Sequence, residues 1–313
     1  MDETPHGTKV AFVGLGRLGG PLAANLVAAG FSVTGYDPDP AATGRLAGSR
    51  LAVAGTAAEA IRGAAAVLTC VRSRADLDAI FTPGHLAADA ESGGSAKTVL
   101  DLSTISTADS AACAARLARE GVPYLRVAVS GSAQAAAGGQ VSFFCSGPKD
   151  AYELHTPLLE AMGRSHVWVG GEDEARAVKI AVNVLVGIGM ASLVEAVNLA
   201  ESLGIDRREF LDVVAGTPLG SPFFAAKTPA LIARDFAPAA SLALITKDLD
   251  LALDAARQAG AQLPVTQRTQ ELYRQCHQRG WSERDFACID DLYTSPAGHP
   301  AGGSADEEQP CPQ

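Results

Sequence analysis

Over the first half of the chain, short runs rich in β-branched residues alternate with alanine-rich stretches of helical spacing, the pattern of a parallel sheet with crossover helices. Strands are expected at 9–13, 32–36, 66–71, 99–102 and 124–129, with 141–145 and 166–169 as later additions. Between the first two, residues 19–29 carry the apolar pair Leu22 and Leu26 at helical spacing and stop at Gly30. After Gly170-Gly171 the period changes: 172–203 reads as one long helix, apolar around much of its circumference and closed by Gly204. Further helices are expected at 207–215, 223–233, 242–259 and 264–279, with a last turn over 285–293.

A glycine turn follows the first expected strand. Gly14, Gly16 and Gly19 in Gly14-Leu15-Gly16-Arg17-Leu18-Gly19 stand where a dinucleotide loop needs a tight bend, a close backbone approach to pyrophosphate, and close packing of helix on strand. Glycine is common in this chain, with 32 residues, so the spacing alone is weak. Its context strengthens it: a strand precedes, a helix follows, and the second strand ends in Asp37, 23 residues beyond Gly14. A carboxylate there accepts the adenosine ribose hydroxyls and repels a 2′-phosphate, which favours NAD while leaving NADP possible; the alternative is that Asp37 caps a turn. The expected fold is an α/β Rossmann N-terminal domain (8–169) plus an all-α C-terminal domain (172–293) joined by a long interdomain helix. The tail 294–313, rich in Pro, Gly, Ser and acid, is expected to be disordered.

Composition narrows the choice. Of 313 residues 47% are hydrophobic and 19% charged, as in globular proteins, and a net charge of −10 without a basic patch excludes a nucleic-acid partner. The six cysteines show neither a CxxC pair nor regular spacing, so no metal site and no disulfide framework is expected, and free thiols in a reducing cytoplasm are. The polar N-terminus does not read as a signal peptide, and the apolar stretch 180–194, broken by Asn183 and Ser192, reads as a buried helix rather than a membrane span.

Three segments carry candidate chemistry. Lys179 and Asn183, four residues apart, share a helix face among apolar neighbours, where desolvation lowers an ammonium pKa toward values useful for proton transfer; a snorkelling lysine beside a structural asparagine fits the spacing equally well. Ser130-Gly131-Ser132 follows a strand, where a hydroxyl and exposed backbone N–H groups can grip a carboxylate, or simply turn the chain. Asp101-Leu102-Ser103-Thr104 ends another strand on the edge where open α/β sheets bind ligands.

The order of these motifs resembles the β-hydroxyacid dehydrogenase family, which includes 3-hydroxyisobutyrate dehydrogenase, tartronate semialdehyde reductase and the glyoxylate/succinic semialdehyde reductases. Four segments carry the resemblance, which runs from about Lys9 to Tyr293. They are the glycine loop with Asn25, the segment Arg126–Ser132 against the family's DAPVSGG, Ala175–Asn183 against GxxxKxxxN, and Lys247-Asp248-Leu249. The resemblance implies an enzyme that interconverts a β-hydroxy acid and its semialdehyde or keto acid by hydride transfer. In it Lys179 is the general acid/base and Asn183 orients substrate and lysine, while Ser130, Gly131, Thr104 and Lys247 bind substrate. Gly14, Leu15, Gly16, Arg17, Leu18, Gly19, Asp37, Val71, Thr104, Lys247 and Asp248 contact the cofactor. It also implies a homodimer or homotetramer built on the long helix.

Departures cluster around substrate recognition. The family's aspartate, proline and second glycine of DAPVSGG are Arg126, Ala128 and Ser132, with Arg126 expected at the surface and added positive charge near the pocket as the alternative. Arg72 replaces a proline, and Ala240 replaces an aromatic, which implies a wider pocket; Phe223 and Phe224 could fill it, but core packing is their expected role. Imine reductases share the architecture but place aspartate or tyrosine at the proton donor, so Lys179 argues against them; a dinucleotide-binding protein without turnover is the other alternative.

Overall fold

The computed structural model describes residues 9–46, 50–82, 86 and 97–294. Of the expected disordered tail only Thr294 is among them; the rest lies outside the described residues. By Cα proximity the chain forms two compact units, Met1–Leu185 with Lys247–Pro264, and Val186–Thr246 with Val265–Gln313.

The first unit is built on β1 (Lys9–Val13), α1 (Gly19–Ala28), β2 (Ser32–Tyr36), α2 (Pro40–Gly44), β3 (Ala52–Val53), α3 (Ala57–Ile61), β4 (Ala66–Thr69) and α4 (Arg74–Ile80). It continues through β5 (Thr98–Asp101), α5 (Thr107–Arg119), β6 (Tyr124–Ser130), α6 (Ala133–Ala137), β7 (Ser142–Ser146), α7 (Lys149–Leu154), α8 (Thr156–Met162) and β8 (Ser165–Gly170). The eight strands form one sheet in the order β3-β2-β1-β4-β5-β6-β7-β8. The first six run parallel, β7 is antiparallel to β6, and β8 is parallel to β7. This is the doubly wound dinucleotide order with two strands added, and the chain reverses its direction of winding between β1 and β4.

Alternation along β1 explains the layers. Val10 and Phe12 face a core shared with Leu22 and Leu26 of α1 and Leu158 of α8, while Ala11 and Val13 face the opposite core with Ile61, Leu77, Cys113 and Leu117. Both faces of the sheet are therefore covered. Asn25, part of the glycine-loop motif, has a structural part here: its Nδ2 donates to Ala136 O at 2.8 Å and Met162 O at 3.4 Å, tying α1 to α6 and α8. The sequence pattern missed β3, whose two residues are both exposed and carry no alternation.

After β8 the chain is helical: α9 (Glu174–Ser202), α10 (Arg207–Ala215), α11 (Pro222–Ala233), α12 (Leu242–Ala259), α13 (Pro264–Gln278), a 3-10 turn (Phe286–Asp290) and α14 (Asp291–Thr294). In the second unit, buried Arg207 joins the end of α9 to later elements through Glu201 (2.8 Å), Leu231 O (3.0 Å) and Asp290 (2.6 Å). Asp285 takes Lys227 at 2.6 Å and the Ala239 and Ala240 amides. Helix α9 is the one described helix long and apolar enough to cross a membrane by length and composition. Its Ile180, Met190, Val194 and Val197 are buried within the protein.

Candidate active site

Gly14 sits at the switch point, its N–H bonded to Tyr36 O at 2.8 Å at the end of β2. Its φ is +95°, and a Cβ there would lie 2.3 Å from Cys70 O, so only glycine fits. A Cβ on Gly19 would lie 1.9 Å from Gly14 O, which is the close packing of α1 on the turn. Gly16 is different: a Cβ there meets nothing within 4 Å, so the backbone is open to a ligand. Among the described residues no side chain caps the N-terminus of α1 above it. An open turn at a helix N-terminus, with N–H groups and the positive end of the helix dipole together, fits a pyrophosphate. Leu15 is buried and Leu18 packs on the same core, Arg17 is exposed, and the Val71 side chain lies against Gly14.

Asp37 is placed at the end of β2, but its carboxylate is already engaged. Oδ2 accepts the Leu15 N–H at 2.7 Å and Oδ1 the Asp39 N–H at 2.9 Å. It therefore holds the glycine turn in shape, with lone pairs left on both oxygens for hydroxyl donors.

Along the same C-terminal edge, neighbouring parallel strands β5 and β6 end at the Asp101–Thr104 segment and at Ser130-Gly131. Gly131 has φ +143° and packs against Val141, and Ser132 caps α6 by accepting the Ala135 N–H at 3.2 Å. The Ser130 hydroxyl accepts and donates no hydrogen bond among the described residues and is half-buried.

Two side chains of α9 and two of α12 complete the arrangement. Lys179 is half-buried and has no hydrogen-bond or ion-pair partner among the described residues. Burial pushes its pKa down; nearby Asp248 opposes that shift and Lys247 adds to it. Asn183, one turn on, is buried and donates from Nδ2 to Asp248 Oδ2 at 2.6 Å. Asp248 is 6% exposed, and its other oxygen, Oδ1, has no hydrogen bond among the described residues. Burial raises the Asp248 pKa, against the pull of Lys247, Lys179 and the Asn183 amide. Lys247 donates to Thr104 O at 2.8 Å and stands 3.9 Å from Asp248 Oδ1. The structure thus brings Thr104, Lys179, Asn183, Lys247 and Asp248 into one group, in which the carboxylate of Asp248 supports Asn183 more closely than Lys247.

Arg126 departs from expectation. It is not at the surface: it is 5% exposed, paired with Asp173 at 2.9 Å and stacked over Tyr124 at 5.0 Å, because a strand residue at this position of β6 faces α5. Arg72 is exposed. Ala240 has its amide on Asp285, and Phe223 stacks on Phe286 at 6.4 Å within the helical unit.

Arg176 is the residue that sequence reasoning passed over. Fully buried at the start of α9, it donates from Nη2 to Asp101 Oδ2 at 2.7 Å and to Asp101 O at 2.9 Å, and from Nη1 to Ser103 O. Asp101 is held in turn by the Tyr124 hydroxyl at 2.6 Å and the Thr69 hydroxyl at 2.8 Å. The one signal was an arginine on the helix face that carries Lys179 and Asn183, three residues before Lys179.

An open glycine turn at the switch point of a parallel sheet, in a unit that also holds a lysine on α9 with no hydrogen-bond or ion-pair partner among the described residues, fits a dinucleotide-dependent oxidoreductase. Comparison with known proteins makes the class specific. The family model described as the NAD binding domain of 6-phosphogluconate dehydrogenase matches residues 9–170, and that described as NAD-binding of NADP-dependent 3-hydroxyisobutyrate dehydrogenase matches 174–293. A probable 3-hydroxyisobutyrate dehydrogenase of Mycobacterium tuberculosis is 32% identical over 277 residues, 85% of this chain and 91% of its own. An NAD-dependent L-serine dehydrogenase of Pseudomonas aeruginosa is 28% identical over 293 residues, 91% of this chain and 97% of its own. The solved structure of the Mycobacterium tuberculosis 3-hydroxyisobutyrate dehydrogenase with L-serine superposes with a TM-score of 0.81 at 29% identity, covering 92% of this chain and 99% of that one. The chain belongs to the β-hydroxyacid dehydrogenase family.

Proposed function

We propose that this protein oxidises a small β-hydroxy acid to its semialdehyde or keto acid, and runs the reverse reduction, with Lys179 as the general acid/base. The observation that carries the reading is the half-buried Lys179, without a hydrogen-bond or ion-pair partner among the described residues, beside Asn183, Asp248 and Lys247. When bound, NAD would supply the redox chemistry as the hydride acceptor. The chain supplies position and proton transfer. Lys179 Nζ takes the substrate hydroxyl proton during oxidation and returns it during reduction, and burial, by lowering its pKa, favours the neutral form that accepts the proton. Asn183, fixed by Asp248, orients the reacting hydroxyl. The Ser130 hydroxyl, the Gly131 N–H, Thr104 and Lys247 hold the substrate carboxylate.

Gly14 to Gly19, Asp37, Val71, Thr104, Lys247 and Asp248 hold the dinucleotide, and the Asp37 charge favours NAD over NADP. We assign cofactor binding to residues 8–169 and substrate binding with dimerisation to 172–293, and place the protein in the cytoplasm. The L-serine in the related solved structure and the L-serine dehydrogenase relative put serine beside 3-hydroxyisobutyrate among the candidate substrates. The test is a panel of 3-hydroxyisobutyrate, L-serine, glycerate, threonate and γ-hydroxybutyrate, followed by absorbance of the reduced cofactor with NAD and with NADP. Turnover of at least one acid, faster with NAD, is expected; no turnover of any acid with either cofactor contradicts the reading.

A further inference from the structure

The contacts around Lys179 close into a ring. From α9, Arg176 reaches the backbone of Asp101 and Ser103 at the end of β5. The next residue, Thr104, accepts Lys247 of α12 through its carbonyl at 2.8 Å. Asp248, adjacent on α12, accepts Asn183 of α9 at 2.6 Å. The ring thus leaves α9 at Arg176 and returns to it at Asn183, and Lys179 stands between those two positions on the same helix face. Resting on the reading of Lys179 as the acid/base, the geometry points to Arg176 as a positioning residue that fixes Lys179 relative to the substrate-holding end of β5.

Chemistry explains why this position holds arginine. Its planar fork offers separate donors to two carbonyls and a carboxylate at once, which an ammonium on a shorter reach cannot match. The Asp101 carboxylate that it meets is fully buried and carries three further donors, from Tyr124, Thr69 and the Ser103 N–H at 3.0 Å. The β5 end is thereby rigid, and Arg176 transfers that rigidity to α9. A second anchor holds the first turn of the helix without reaching the ring: Ser146 Oγ donates to Glu172 O at 2.7 Å and accepts the Ala175 N–H at 3.1 Å. Removing the Arg176 fork therefore leaves α9 attached to the sheet but frees its Lys179 face.

The test uses Arg176→Lys, which keeps a cation against Asp101 so that the fold survives. Arg126→Lys, at a buried arginine outside the ring, is the comparison, and Lys179→Met is run in parallel. Two readouts are taken: kcat and KM for whichever of L-serine and 3-hydroxyisobutyrate the unaltered enzyme oxidises faster, and the pH dependence of Lys179 acetylation by acetic anhydride in the cofactor-free protein, followed by mass spectrometry. For Arg176→Lys, kcat falls by roughly ten- to a hundredfold, the scale of a misplaced reacting group, while NADH binding is unchanged. The acetylation midpoint of Lys179 moves up toward the ordinary lysine value of about 10.4 as its burial loosens, and neither change occurs in Arg126→Lys. The proposal is overturned if Arg176→Lys keeps the original kcat and midpoint while Lys179→Met is inactive, or if Arg126→Lys shifts both equally. If Lys179→Met retains turnover, the acid/base reading itself fails, and this proposal with it.

Discussion

Among the described residues Lys179 has no hydrogen bond, burial disfavours its ammonium form, and the pH dependence of turnover follows from the direction of that shift. Oxidation needs the neutral amine, so its rate rises with pH and levels off above the Lys179 pKa. Reduction needs the ammonium and falls through the same pKa. Because the folded pKa is depressed, both limbs lie below the ordinary lysine value of about 10.4. Profiles of kcat/KM in both directions check this; a limb at or above the ordinary value places proton transfer elsewhere. Residue identity was legible in the sequence where spacing on a helix determines neighbours, as for Lys179 and Asn183. It was not legible where partners come from distant segments: Arg126 pairs with Asp173 and Arg176 with Asp101, across 47 and 75 positions. A charged residue at a strand or helix start gives no local sign of whether its partner is water or a buried carboxylate.

The glycine turn is where an element depends on single atoms. Gly16 and Gly19 have opposite surroundings, one open and one 1.9 Å from the Gly14 carbonyl when a Cβ is added. Gly19→Ala therefore pushes α1 off the turn and lowers the melting temperature as well as dinucleotide binding. Gly16→Ala melts as the original protein does but binds NADH more weakly, since the added methyl occupies only the ligand's approach. Calorimetry with fluorescence titration separates the two; equal melting losses contradict the account of the turn. Elements with strong periodicity were legible from sequence, α10 and α12 to the residue. The two-residue β3 was not, because an exposed edge strand needs no alternation and takes its pairing from β2.

The long helix bears on the whole molecule. Leu185, Leu199 and Leu203 on and just beyond α9 are 71%, 60% and 71% exposed, and full burial of a leucine side chain contributes about 1.5–3 kcal/mol. Exposed apolar side chains repeated along one helix fit a surface covered by a second copy of the chain. Light scattering is expected to give a dimer or tetramer, and replacing Leu199 and Leu203 together by glutamate is expected to shift it toward monomer. A monomer for the unaltered protein contradicts the proposed assembly but leaves the chemistry of the first unit untouched, because Lys179, Asn183, Thr104, Lys247 and Asp248 all belong to that unit. The account therefore stands most directly on one variant: Lys179→Met, with steady-state oxidation of the best acid in the panel and NADH binding measured side by side. A loss of kcat of about 10²–10⁴, the usual contribution of a positioned acid/base, with NADH binding retained is the expected result. Near-original turnover in that variant would contradict it.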